Sequence, residues 1–277
     1  MIVGRGHTER RGRLLGAQDG AAWSRDGRAP CVVALHGFSG TTSELSPLLE
    51  ALTREGYAVR APLLAGHGTR PEQLQACTFG DWVESARAEL DDARARHGRV
   101  VLCGFSMGSL VAIELASERP GACEGLVLLG NAVRLSSPLH EALGAVDRLG
   151  LSLPDAYLLK LWSADIADRA ARARITAYDR HPLRGALEVR RGARRAHERL
   201  PHVTCPTLVL HGRRDHVCPV GNVERVRARI GADQVFTRIF EDSAHLVAAD
   251  HDRDAVAAEV LSFVRRFDAD RQAPVEP

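Results

Sequence analysis

The segment G-F-S-M-G (104–108) sets a serine between two glycines, directly after an apolar run and before a helical pattern. A serine on a sharp strand-to-helix turn projects its hydroxyl beyond the strand end. Glycines on either side let neighbouring backbone pass without side-chain clash. Ser106 would also sit at a helix N-terminus, where free N–H groups and the helix dipole favour developing negative charge. Five-residue patterns recur by chance, so this one takes its weight from the strand before it and the helix after it. The competing reading is an ordinary strand–helix turn.

A serine hydroxyl attacks poorly until an oriented base removes its proton. Two later segments can supply acid and base in the chain order Ser, Asp, His. T-L-V-L-H-G-R-R-D (207–215) is an apolar strand running into a turn that carries Asp215, and Q-V-F-T-R-I-F (234–240) leads into E-D-S-A-H-L (241–246), which carries His245. Nucleophilic attack on a carbonyl also needs two N–H donors for the oxygen. One would come from Met107, the residue after the serine. The other would come from Phe38 in H-G-F-S-G (36–40), the loop after an earlier strand.

Other polar residues fit less well. Asp242 reads as a turn cap, and Asp233 precedes its strand, at the wrong end of a sheet. His211, His216 and His251 read as surface or capping residues, His67 as a loop-shaping residue, His36 as a structural brace and Ser39 as a turn residue.

These side chains need elements to carry them to one place. Apolar strand patterns at 31–36, 57–61, 99–104, 125–130, 207–212 and 234–240 alternate with helical patterns at 44–54, 79–97, 107–118, 220–230 and 252–267. In 79–97 the apolar residues Phe79, Trp82, Val83, Ala86, Leu90 and Ala93 recur at intervals of three and four. The 107–118 pattern is apolar or small nearly all round, as a central buried helix should be. Fully apolar strands alternating with helices predict an α/β chain with a mostly parallel sheet covered on both faces. The alternation breaks at 131–200, which shows helical patterns and no convincing strand. This stretch is expected to form a helical cap inserted above the carboxyl edge of the sheet. The expected organisation is an irregular N-terminal segment or edge strands at 1–29, a core of 30–130 and 201–268, the cap at 131–200, and a flexible tail at 269–277.

Within the cap, Leu158, Leu161, Trp162 and Ile166 make one apolar stripe, and Val189, Ala193, Ala196 and Leu200 another. Either stripe suits cap-on-body packing or an apolar acyl pocket. Arg190, Arg191, Arg194, Arg195 and Arg199 opposite the second stripe read as a solvated helix face.

Composition narrows the class. The chain has 277 residues, 45% hydrophobic and 26% charged, which is ordinary globular composition. Its 37 basic and 35 acidic residues leave a formal net charge of +2, giving no reason to expect a nucleic-acid partner. No apolar run approaches the ~18 residues of a membrane span, and the charged, glycine-rich first twenty residues lack the apolar core of a signal peptide. A cytoplasmic protein without integral membrane association is expected, of undetermined oligomeric state. Six dispersed cysteines with no C-x-x-C pair read as reduced, mostly buried hydrophobes, not as a metal or disulfide framework.

The motifs together resemble an α/β-hydrolase fold serine hydrolase, close to bacterial carboxylesterases and monoacylglycerol lipases. The resemblance rests on H-G-F-S-G (36–40), P-L-L-A-G-H-G (62–68), F-G-D-W (79–82), G-F-S-M-G (104–108), Y-D-R-H-P-L (178–183), C-P-T-L-V-L-H-G-R-R-D (205–215) and S-A-H-L (243–246). It spans roughly residues 30–268. It implies Ser106 as nucleophile, Asp215 as acid, His245 as base, the Phe38 and Met107 amides as oxyanion donors, and no metal or cofactor. The implied substrate is a small carboxylic ester with an apolar acyl group. A thioesterase, acyltransferase, lactonase, C–C hydrolase or peptidase would use the same three side chains, and a non-catalytic binding protein of this fold remains the alternative from another class. The chain departs from the family in carrying Ala244 where glycine usually precedes the histidine, and in the weak patterning before residue 30, where two strands of the full fold belong.

Overall fold

The computed structural model describes residues 14–15, 20–118, 120–135, 138–151, 153–159 and 164–268. Seven strands form one sheet: β1 (Trp23–Arg25), β2 (Arg28–Leu35), β3 (Tyr57–Ala61), β4 (Val100–Phe105), β5 (Gly125–Leu129), β6 (Thr207–Gly212) and β7 (Val235–Phe240). Their spatial order is β7-β6-β5-β4-β2-β3-β1. Every neighbouring pair is parallel except β1 with β3, in which Trp23 stands opposite Ala61. A short edge strand therefore precedes residue 30.

Both faces of the sheet are covered, and the two-residue period of the strands shows it. Cys31, Val33 and Leu35 join one apolar cluster while Val32 and Ala34 join the other. In β4, Val100 and Leu102 go one way and Val101, Cys103 and Phe105 the other. Helices α1 (Ser46–Arg54) and α6 (Arg253–Val264) cover the face that receives Val32. Helices α2 (Phe79–His97) and α3 (Met107–Glu118) cover the opposite face. Helix α2 starts at a capping box between Thr78 and Asp81 and buries Phe79, Trp82, Val83, Ala86, Leu90 and Ala93, the row its spacing predicts. Helix α3 buries eleven of its twelve residues, which its apolar circumference allows.

The stretch 131–200 is more mixed than its sequence suggests. Helices α4 (Pro138–Arg148) and α5 (Leu183–Arg199) are present. Two short antiparallel pairings were not expected: Tyr157–Leu159 with Arg180–Pro182, and Ala177–Tyr178 with Leu14–Leu15. Strands of two and three residues are too short to show alternation. Leu158 thus belongs to a strand, not to a helical stripe, and Ile166 is buried in the cluster on the α1–α6 side. Leu161 and Trp162 lie outside the described residues.

Helix α5 packs on α3. Val189, Ala193 and Ala196 enter the same cluster as Leu110 and Val111, and Glu188 Oε2 accepts the Phe79 amide at the start of α2 at 3.0 Å. The arginines opposite that stripe face solvent, as expected, with the side chains of Arg191, Arg194, Arg195 and Arg199 42–66% exposed, and they are also ion-paired. Arg195 and Arg199 lie 2.6 and 3.7 Å from Glu114 on α3, whose side chain is 1% exposed. Arg191 and Arg194 meet Asp147 at the end of α4.

Candidate active site

The parallel strands deliver three loops to one edge of the sheet. Ser106 stands between the end of β4 and the start of α3 at φ 51°, a left-handed conformation that a serine adopts only under constraint. Its amide donates to Leu129 O of β5 at 3.0 Å. The flanking glycines answer a packing need. A Cβ on Gly104 would collide with the Gly108 carbonyl, and one on Gly108 with the Leu35 carbonyl. Met107 is the first residue of α3, so its N–H has no intrahelical acceptor.

His245 is carried on the loop after β7 and is 5% exposed. Its Nε2 lies 2.9 Å from Ser106 Oγ, and its Nδ1 lies 2.8 Å from Asp215 Oδ2. The three side chains expected from sequence therefore form one continuous hydrogen-bonded row. Burial by itself would lower the His245 pKa. The Asp215 carboxylate, helped by Asp165 and Glu44, outweighs it and holds the ring above its ordinary value. Burial would likewise raise Asp215, but the His245 charge and the hydrogen bonds from His211 and His245 carry its carboxyl well below the usual carboxylate range. Asp215 Oδ1 also accepts the Val217 and Cys218 amides at 2.8 and 2.7 Å.

Ala244, which stands where the family favours glycine, is accommodated: its amide donates to Asp250 Oδ2 at 2.7 Å and the imidazole stays in reach of Ser106. The close approach is instead granted by Gly212 at the end of β6, where a Cβ would collide with the Ala244 carbonyl.

Phe38 and Gly37 line the cavity beside Ser106. Behind them, His36 Nδ1–H donates to Gly37 O at 2.9 Å and its Nε2 accepts the Leu64 amide at 3.1 Å. Burial pushes its pKa down to about 4, so it is a neutral brace. Ser39, at φ 58°, turns the loop. Its carbonyl accepts the Tyr178 amide at 2.9 Å and its Oγ meets His181 Nδ1 at 3.0 Å. The His181 ring stacks on Phe38 with centroids 5.4 Å apart. His67 is buried with Nδ1 facing the Leu64 and Ala65 carbonyls, which fits a loop-shaping residue.

Several residues escaped the sequence reading. His211 is not a surface or capping residue; it is fully buried, with Nε2 2.9 Å from Asp215 Oδ2. Its place in an apolar strand, in step with Val209, was the available signal. His216 is exposed and paired with Asp165, as a surface residue would be. Asp165 also accepts the His245 amide at 3.3 Å, so it joins the two loops carrying Asp215 and His245. Glu44 Oε2 accepts the Gly37 amide at 2.8 Å.

A cavity of about 750 Å³ opens over Ser106. Leu135, Leu139, Leu158, Val189, Val217 and Leu246 supply its apolar walls. Apolar walls around a few convergent polar groups suit a substrate with a hydrocarbon part. Asp215, Cys218 and His245 offer ligand atoms within 4.8 Å of one another. They make a poor metal site, because Asp215 and His245 are already bonded to each other. Burial also raises the Cys218 thiol far above its ordinary pKa, leaving it protonated. Among the described residues no helix is long and apolar enough to cross a membrane.

Comparison with known proteins identifies the family of the chain. The family model described as serine aminopeptidase, S33, matches residues 28–252. A thermostable monoacylglycerol lipase from Bacillus sp. (strain H-257) is 30% identical over 84% of this chain and 89% of its own length. A carboxylesterase from Bacillus subtilis is 22% identical over 86% of this chain and 93% of its own. Among solved structures, one described under LipS and LipT, two metagenome-derived lipolytic enzymes, superposes with a TM-score of 0.83 at 28% identity, over 92% of this chain and 100% of that one. The fold, the match to the family model and the relatives agree: the chain belongs to the serine aminopeptidase S33 family of α/β hydrolases, as an ester-hydrolysing member of the lipase and esterase type.

Proposed function

We propose that the protein cleaves carboxylic esters with an apolar acyl group through an acyl-enzyme, with Ser106 as nucleophile, His245 as base and Asp215 as acid, under a cap formed by residues 131–200. The observation that carries this reading is the placement of His245, with Nε2 2.9 Å from Ser106 Oγ and Nδ1 2.8 Å from Asp215 Oδ2.

Ser106 Oγ attacks the ester carbonyl carbon as His245 Nε2 takes its proton. The oxygen's negative charge is met by the Phe38 and Met107 amides, donors fixed by the backbone before the reaction starts. The C–O bond to the alcohol then breaks, and His245 returns the proton to the leaving oxygen. Water attacks the acyl-enzyme by the same path, and the carboxylic acid and Ser106 are released. Asp215 keeps the imidazole in the tautomer with hydrogen on Nδ1 and stabilises its charged form. The apolar cavity takes the acyl chain. The names of the relatives, a monoacylglycerol lipase and a carboxylesterase, fit the same substrate class.

A fluorophosphonate probe tests the reading. Labelling in the native enzyme and its loss in Ser106→Ala are expected, together with steady multiple turnover of p-nitrophenyl esters. Undiminished labelling of Ser106→Ala would overturn the nucleophile assignment. A single slow burst without turnover would favour a binding protein.

A further inference from the structure

The Asp215 carboxylate holds two imidazoles on one oxygen. Oδ2 lies 2.8 Å from His245 Nδ1 and 2.9 Å from His211 Nε2. His211 comes from inside β6, two residues after Val209 on the same face of the sheet, and its side chain is 0% exposed. Its Nε2 also lies 3.1 Å from Cys218 O. Both neighbours of that nitrogen are acceptors, so the ring hydrogen belongs on Nε2. The other nitrogen, Nδ1, is buried with no hydrogen-bond partner among the described residues. The ring thus meets its surroundings as a donor, and the acceptor it shares with His245 is Asp215.

We propose that His211 is a positioning residue for ester hydrolysis: its Nε2–H fixes the Asp215 carboxylate in the orientation that meets His245 and draws off part of the charge that Asp215 presents to that ring. The proposal rests on the assignment of Asp215 and His245 as acid and base. The two amides on Oδ1 hold one end of the carboxylate, and His211 holds the end where the proton traffic is balanced. The charged groups facing His245 are Asp215, Asp165 from the stretch before the short helix Arg169–Arg172, and Glu44 from the turn before α1. His211 faces Asp215 and the carbonyl of Cys218. Removing the His211 donor therefore has a signed consequence. More of the carboxylate's charge falls on the His245 imidazolium, which becomes harder to deprotonate. The looser carboxylate also orients the base less well.

His211→Leu removes the donor, and His211→Gln returns an amide N–H at comparable reach. In the Leu variant kcat should fall about tenfold with KM changed less than about twofold, and the acid limb of the kcat profile should move up by roughly half a pH unit. The Gln variant should recover both in part. A Leu variant with a native acid limb, or a Gln variant no better than Leu, overturns the proposal. Ring-15N-labelled histidine in the unmutated enzyme gives a reading independent of turnover and of how the variants fold. His211 should carry its hydrogen on Nε2, with that resonance moving in Asp215→Asn. A ring protonated on Nδ1, or an unmoved resonance, overturns the proposal. Failure of Ser106-dependent turnover would instead count against the proposed function, and the labelled histidine would still decide the place of His211.

Discussion

The Ala244 amide lies 2.7 Å from Oδ2 of Asp250, a fully buried carboxylate six residues further along the chain. The same carboxylate accepts the amides of Ala167, Asp168 and His251 at 2.8–2.9 Å. One side chain thus ties the loop carrying His245 to the stretch that carries Asp165. Asp250→Ala would leave four amides without this acceptor. A loss of about 3 kcal/mol or more is expected, lowering Tm by roughly 6–12 °C. Asp250→Asn should be nearly as damaging, because its amide nitrogen donates where acceptors are needed. Calorimetry of both variants checks this, and a Tm within 2 °C of the native value, well inside the ~6 °C minimum, would contradict it.

Activity should rise with pH, with its half-maximal point above the ~6.5 of a free imidazole. As the proposed base, His245 must be neutral to accept a proton from Ser106, and Asp215, Asp165 and Glu44 hold it above its ordinary value. The associated stability runs the other way. A raised histidine contributes fully below its unfolded pKa and loses that contribution as pH rises through the folded value. The measurement is kcat from pH 5 to 9 for native enzyme and Asp215→Asn. The variant should lose about 10⁴-fold in kcat, because the imidazole loses its tautomer lock. A profile flat from pH 5 to 8 would rule out histidine as base.

Gly212→Ala tests the close approach of β6 to the His245 loop. Its new Cβ meets backbone at the Ala244 carbonyl, which cannot swing aside as a side chain can. The cost should be about 1–3 kcal/mol in stability. Activity should fall further than stability, by about 10²-fold in kcat, because a shift near 1 Å at His245 misplaces the proton acceptor of the proposed mechanism. Denaturant melts and turnover on the same preparation separate the two.

Leu139 lines the cavity and packs in the small satellite cluster around Leu143, Ala186 and Leu187. Leu139→Trp should shorten the accepted acyl chain. kcat/KM for long-chain p-nitrophenyl esters should fall at least about tenfold, while acetate and butyrate esters change less than about threefold, since each excluded methylene is worth ~0.8 kcal/mol. Uniform loss across chain lengths would place the acyl chain elsewhere.

Much of the architecture was legible because its determinants are local. C-V-V-A-L declares a strand buried on both faces, and 79–97 declares its apolar row by spacing. Ser106, Asp215 and His245 were each marked by the strand that precedes them. The stretch 131–200 was harder to read. Tyr157–Leu159 is held as a strand by pairing with Arg180–Pro182, and nothing in three residues announces a partner some twenty positions away. Asp250 acts through backbone amides, which every residue but proline owns, and Asp165 accepts two amides beside its pair with the exposed His216, so no motif points to either. His211 failed for a different reason. A histidine beside a turn suggests solvent, and only its step with Val209 on an apolar strand hints at its burial.

Val189 belongs both to the cavity wall and to the apolar cluster shared by α5 and α3. Trimming it to widen the chamber would carve the same void out of the interior that keeps the enzyme folded. With the acyl chain in the proposed place, tuning for bulkier acids should cost less at Leu139, in a small satellite cluster, than at Val189 in the main one. Variants selected for new substrates should accumulate changes along α4 while leaving α5 untouched.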